Sequence, residues 1–184
     1  MEYINKNPKI IIISGKARSG KSITGSMIEK HCAKRHLKSI TLSYASYIKE
    51  YVKKITSWDG SDDTKPRSLL QSMGLDLLRG KINDDFLVNR MVEDIMVYSY
   101  FYDVIIINDA RLKSELKVLE KTFKNVLTIR ITNDNFNNNL TDKEKSHVTE
   151  TDLDDYNNFD YIIKNNESVS KLNDEVNKIM KEVL

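Results

Sequence analysis

Four consecutive isoleucines, Ile10 to Ile13, stand with no polar residue between them, and the run stops at once in Gly15, Lys16, Ala17, Arg18, Ser19, Gly20, Lys21 and Ser22. β-Branched residues without alternation predict a central strand over 9–14, covered on both faces. The run "DVIIIND" predicts a strand over 103–108, and shorter apolar stretches predict strands over 38–43, 125–131 and 160–164. Helical spacing fills the intervals. It covers 20–36 and, through Val169, Leu172, Val176, Ile179 and Val183, residues 169–183. An insert over 44–101 carries three further helical stretches, "SYASYIKEYVKKI", "KPRSLLQSMGLDLLRG" and "NDDFLVNRMVEDIMVYSY", with "SWDGSDD" as a loop between the first two. Strands alternating with helices predict an α/β fold of three layers, a five-stranded parallel sheet flanked by helices.

The polar stretch "NDNFNNNLTDKEKSH", residues 133–147, buries little and follows directly on the fourth strand. Loops of this length are uncommon unless functional or disordered, so residues 133–150 read as a lid, against the plainer reading of an asparagine-rich surface loop. With 184 residues, the chain suits one domain comprising this core, the insert and the lid.

Residues 15–22 match G-x-x-x-x-G-K-[ST]. In this pattern glycines let successive amides curl toward phosphates, the lysine reaches the β and γ phosphates, and the hydroxyl ligates Mg²⁺. The match falls where a strand becomes a helix, the context that gives it weight. The expectation is therefore a P-loop fold that binds ATP through Gly15, Lys16, Ala17, Arg18, Ser19, Gly20, Lys21 and Ser22. A second metal anchor is expected at the carboxyl end of a neighbouring strand, and Asp109 stands there, with Arg111 two residues on. The plainer role for Asp109 is to cap the helix that follows it. Within the insert, Lys49, Lys65, Arg67 and Arg79 occupy the segment where a P-loop kinase would hold its acceptor. Guanidinium forks match phosphate oxygens in pairs, so Arg67 and Arg79 point to an acceptor already carrying a phosphate. No general base is needed, because phosphoryl transfer rests on positioning and charge neutralisation, which Lys21, Mg²⁺ and arginines supply. Lys143 and Lys145 of the lid would approach the phosphates on closure. Tyr44 and Trp58 either line the acceptor cavity or pack the insert.

The blocks "SGKARSGKS", "YASYIKE", "KPRSLLQSMGLDLLRG", "NDDFLVN", "INDARLKSEL" and "SHVTE" occur in an order similar to that of deoxynucleoside monophosphate kinases of the phage and bacterial type, over nearly the whole chain. The resemblance implies ATP phosphates at Gly15 to Ser22 and acceptor recognition by Lys65, Arg67, Gln71, Arg79 and Asp85. It further implies phosphate or metal contacts by Asp109 and Arg111, a strand-to-helix turn oriented by Glu115, and His147 and Glu150 closing the lid. Asn165 and Asn166, in the last strand-to-helix turn, stand where the superfamily has its adenine-contacting loop and either read the base or belong to a capped turn that starts the final helix. Two departures stand out: Ser22 replaces the aspartate common after the P-loop lysine, and a tryptophan often found near Leu87 is absent. Animal-type phosphomevalonate kinases share several blocks, so phosphomevalonate or dephospho-coenzyme A is an alternative acceptor, and an ATP-binding regulator without transfer is a rival of another class.

Charge and cysteine content narrow the picture modestly. A net charge of +2, with no basic block longer than pairs such as Lys53 and Lys54, argues against nucleic acid as partner. A single cysteine, Cys32, and an N-terminal stretch without signal-peptide order lead us to expect a cytoplasmic protein; no apolar run reaches the roughly 20 residues of a membrane span. The sequence leaves the oligomeric state open, a homodimer included.

Overall fold

The computed structural model describes residues 2–135 and 145–184, so Lys143 and the middle of the expected lid lie outside the described residues. Five strands, β1 (Lys9–Ser14), β2 (Ser39–Leu42), β3 (Val104–Ala110), β4 (Val126–Thr132) and β5 (Tyr161–Lys164), form one parallel sheet in the order β2-β3-β1-β4-β5. Among the described residues the helices are α1 (Lys21–Lys34), α2 (Tyr44–Ile55), α3 (Arg67–Ser72), α4 (Phe86–Tyr98), α5 (Lys113–Thr122), α6 (Val148–Thr151) and α7 (Val169–Val183). A π-helical segment, Met73–Ile82, continues α3.

The unbroken apolar runs are explained by the two faces of the sheet. Ile10, Ile12, Ile105 and Ile107 face a core shared with α2, α4 and α5. Ile11, Ile13 and Ile106 face the opposite core, built with Met27 and Ile28 of α1 and Leu172, Val176 and Ile179 of α7. Because side chains alternate between faces, every position of a doubly covered strand must be apolar. The insert joins the first core through Val52, Met73, Leu78, Val88 and Met91.

Strand order decides where a ligand can sit. The connection leaving β1 runs to β2 on one side and the connection leaving its neighbour β4 runs to β5 on the other, so they diverge and open a crevice at the carboxyl ends of these two strands. The register of β1 against β3 shifts between Ile12 and Ser14, just before the glycine-rich loop. The 169–183 helix has the bounds its periodicity predicts, and it is capped by the Ser168 hydroxyl, which accepts from the Lys171 amide.

The core is strict enough to test. Ile106 is fully buried in the middle of the sheet. Ile106→Ala is expected to lower the free energy of unfolding by about 2–5 kcal/mol, read as a lower urea midpoint at unchanged slope.

Candidate phosphate and acceptor site

The loop between β1 and α1 bends through positive φ at Gly15 (156°), Arg18 (60°) and Gly20 (111°). A Cβ at Gly15 would lie 2.5 Å from the Ile131 carbonyl oxygen, and one at Gly20 would lie 2.6 Å from Asn165 Nδ2, so both positions require glycine. Arg18 holds a left-handed conformation that costs a non-glycine residue energy, a feature concentrated at ligand-binding loops. Lys21 is 8% exposed and donates to the carbonyl oxygens of Gly15 (2.8 Å) and Lys16 (2.7 Å). Burial, and next the Arg111 guanidinium, pull its pKa down to about 7, against the carboxylates of Glu150 and Asp109. A buried ammonium short of counter-charge, inside a loop whose glycines leave no room for side chains, fits a polyphosphate. Asn165 donates from Nδ2 to the Ser19 carbonyl (2.9 Å), which ties the β5–α7 turn to the loop. Ser22 is exposed on the first turn of α1.

Asp109 reaches across to α2. Its Oδ1 accepts from the Tyr44 amide (2.8 Å), and its Oδ2 accepts from the Ser43 hydroxyl (2.7 Å) and the Ala45 amide (2.9 Å). The carboxylate thus caps the start of α2, not the helix that follows it in sequence, where α5 begins. A carboxylate offers about four acceptor positions, so this one retains capacity for a cation. The oxygen donors of Asp109 and Ser22 suit Mg²⁺, which keeps most of its shell as water and phosphate. Among the described residues no group of three or more His, Cys, Asp or Glu could cage a metal by itself.

Beside the loop opens a cavity of about 350 Å³ whose wall includes Lys65, Arg67, Gln71, Arg79, Asp109 and Arg111, with Ala17 at its edge. Tyr44, Lys49, His147 and Glu150 also line it. Asp85 does not: it is an exposed turn residue immediately before α4, its carbonyl accepting the Asn89 amide. Trp58 packs the insert, its indole N–H donating to the Ser61 carbonyl (2.9 Å).

Glu115 anchors the wall. It is 4% exposed, its Oε1 takes Arg79 (2.6 Å), and its Oε2 takes the amides of Arg111 (2.7 Å) and Leu112 (3.1 Å). Burial pushes its carboxyl up to about 7, opposed by the Arg111 amide and the Arg79 charge. The amide contacts pin the turn between β3 and α5, while the ion pair fixes a guanidinium carried by the π-helical segment. Arg111 in turn pairs with Glu150, whose other oxygen accepts the Ala17 amide (2.8 Å).

Three residues escape the sequence reading. Arg130, the one basic residue in the apolar strand "VLTIRIT", reaches Ser14 Oγ (3.4 Å) and Asp154 (3.5 Å). Asp154 also takes Lys16 of the loop (2.8 Å), and Ser43 shares the Asp109 cap. A charged residue inside an apolar strand is the signal available for Arg130. On the β4–β5 side a second cavity of about 480 Å³ is lined by Lys16, Ser19, Arg130, Asn133, Asp134 and Phe159, among others. Asn166 borders this region, bonded to the Asp134 amide and carboxylate.

The model of the deoxynucleotide monophosphate kinase family matches residues 37–176. No curated relative matches the sequence. Among solved structures, the chain is similar to the APS kinase of Mycobacterium tuberculosis in complex with AMPPNP and APS (9% identity, TM-score 0.57, covering 95% of this chain and 96% of that one). It is also similar to a gluconokinase from Sinorhizobium meliloti (14%, 0.53, 95% and 93%) and a sugar kinase from Janibacter sp. (12%, 0.54, 96% and 95%). At these identities the structural likeness establishes the fold, a P-loop kinase fold.

The depressed Lys21 ammonium has a measurable consequence. Above about pH 7 the lysine of the nucleotide-free protein loses its proton, and a bound polyphosphate restores it, so ATP affinity falls as pH rises through this range. Calorimetry at pH 8 in buffers of different ionisation enthalpy is expected to show wild-type protein taking up more protons on ATP binding than Lys21→Ala, by up to about one.

Proposed function

The chain belongs to the deoxynucleotide monophosphate kinase family and is accordingly an ATP-dependent phosphotransferase, and we propose that it transfers the γ-phosphoryl group of ATP to a deoxynucleoside monophosphate. One observation carries the reading of the acceptor: the P-loop opens directly onto a cavity whose wall holds Lys65, Arg67, Arg79 and Arg111. A binding space with that many cations suits an acceptor that brings its own phosphate.

Each residue then has a task. The amides of Gly15 to Ser22 and the Lys21 ammonium hold the β and γ phosphates of ATP, which when bound with Mg²⁺ supplies the phosphoryl group and part of the charge neutralisation. Ser22 and Asp109 would hold the metal. Arg67 and Arg79 orient the acceptor phosphate, with Arg79 pre-set by Glu115; Lys65 and Gln71 complete the acceptor wall. Arg111, where the loop meets the cavity, neutralises charge on the group in transit. The cavity beyond Lys16 and Asn133 offers room for the nucleoside end of ATP, near Asn165 and Asn166. His147 belongs to the closing segment that excludes water. No helix among the described residues is long and apolar enough to cross a membrane.

ADP release in a coupled assay, run over the four deoxynucleoside monophosphates and phosphomevalonate, tests the acceptor. Release is expected with at least one deoxynucleotide and absent with phosphomevalonate; acceptor-independent release would favour a regulator. Lys21→Ala is expected to lower kcat by at least about a thousandfold. Arg79→Ala is expected to raise the acceptor KM roughly tenfold while the ATP KM stays near wild type. Unchanged constants for Arg79→Ala would remove it from the site.

A further inference from the structure

A carboxylate lies where an anion-binding loop meets an arginine. Glu150, whose side chain is 9% exposed, accepts the Ala17 amide of the P-loop (2.8 Å) through Oε2 and pairs with Arg111 through Oε1. It also lines both the acceptor cavity and the narrow junction between Gly15, Lys16, Arg111 and Arg130. A main-chain N–H of a P-loop and a guanidinium are the donors that a phosphoryl oxygen would take. The opposing charge is placed on Lys21 as well: Glu150 is the strongest of the neighbours that favour its ammonium form.

We propose that Glu150 is an internal stand-in for phosphate, which fills the anion position between Ala17 and Arg111 in the nucleotide-free protein and must leave when a polyphosphate binds. The inference rests on the phosphate site described above but not on the identity of the acceptor. Its mechanical basis is the strap from His147 to Asp155. The far part is fastened: Leu153 is 4% exposed in the core, Asp152 accepts the Lys113 amide (2.7 Å), and Asp155 pairs with Lys113 (2.7 Å). Asp154 takes Lys16 of the loop and Arg130. The near part is one turn of helix, α6, held by the His147 cap, by the contacts of Glu150 itself and by the same Arg111 guanidinium, which also donates to the Thr149 carbonyl (3.5 Å). Displacing Glu150 therefore frees one helical turn while the strap stays anchored. A polyphosphate competes with this side chain for the same donors, so the protein's nucleotide affinity is reduced by the stability of the internal contact.

Glu150→Gln keeps the shape and removes the charge. Titration of metal-free tripolyphosphate into this variant is expected to give a Kd roughly tenfold lower than wild type, the strength of a charge-assisted contact no longer displaced. Glu150→Asp is expected to lie between the two. In the absence of ligand Glu150→Gln should melt below wild type, with the gap closing at saturating tripolyphosphate. A second readout uses the wild-type chain alone: on tripolyphosphate binding, amide exchange of residues 148–151 is expected to speed up. Unchanged or weaker binding in Glu150→Gln, or slower exchange in α6 on binding, overturns the proposal. If these tests succeed while no deoxynucleotide is phosphorylated, the acceptor assignment fails and this inference stands; the reverse result removes only the inference.

Discussion

The ammonium of Lys21 is buried and donates to two carbonyl oxygens of its own loop, Gly15 and Lys16, which desolvates a charge without giving it a full counter-charge. Much of the surrounding arrangement follows from that placement. The loop reaches it only through positive φ at Gly15, Arg18 and Gly20, and it can hold those angles because β1 is clamped between β3 and β4 and α1 packs its base into a core. Rigid strands supply the frame; the strained loop presents its amides at the sheet edge. The lowered pKa of Lys21 measures what the fold tolerates to keep a cation at that spot.

On the acceptor side the same logic uses carboxylates. Asp109 ends β3 and caps α2, while Glu115, in the first turn of α5, holds Arg79 and two amides of the β3–α5 turn. Neither carboxylate has to touch a ligand to matter. Removing one partner of a buried pair leaves the other unpaired, so Arg79 and Glu115 stand or fall together. Through them the insert, which carries Arg67 and Arg79, is registered against β3 and the turn after it that carries Arg111.

The frame of this site was legible in the sequence because its signals are local. Unbroken β-branched runs, buried on both faces, make Ile10 to Ile13 and Val104 to Ile107 read as strands, and the run from Gly15 to Ser22 carries its own chemistry. Lys65, Arg67, Gln71 and Arg79, drawn from the insert, do share one cavity, though Asp85 stays outside it. What periodicity missed depends on residues far apart in the chain. The sequence suggested a cap for Asp109 but not that α2, some 65 residues earlier, would receive it. Arg130 and Asp154 meet only once β4 and the strap are placed, and the π-helical form of Met73–Ile82 leaves no distinct periodic signature. Asn165 reaches the Ser19 carbonyl by the same kind of long-range contact.

Four of the cations around the loop are already engaged: Lys16 and Arg130 with Asp154, Arg111 with Glu150, and Arg79 with Glu115. A ligand that meets these four exchanges partners with them, whereas Lys21 has no ion-pair partner among the described residues to give up. Such exchange limits the net affinity gained from electrostatics, since each new contact replaces an old one. It also separates the pairs by their surroundings. Arg79 and Glu115 are both nearly buried and hydrogen-bonded on several sides, so their contact persists as a positioning element. Asp154, with 44% of its side chain exposed, shares its charge between two cations and yields more readily. On the proposed assignment a phosphotransferase would profit from this division, because the fixed Arg79 would orient an acceptor while the exchangeable cations would follow the charge of the donor.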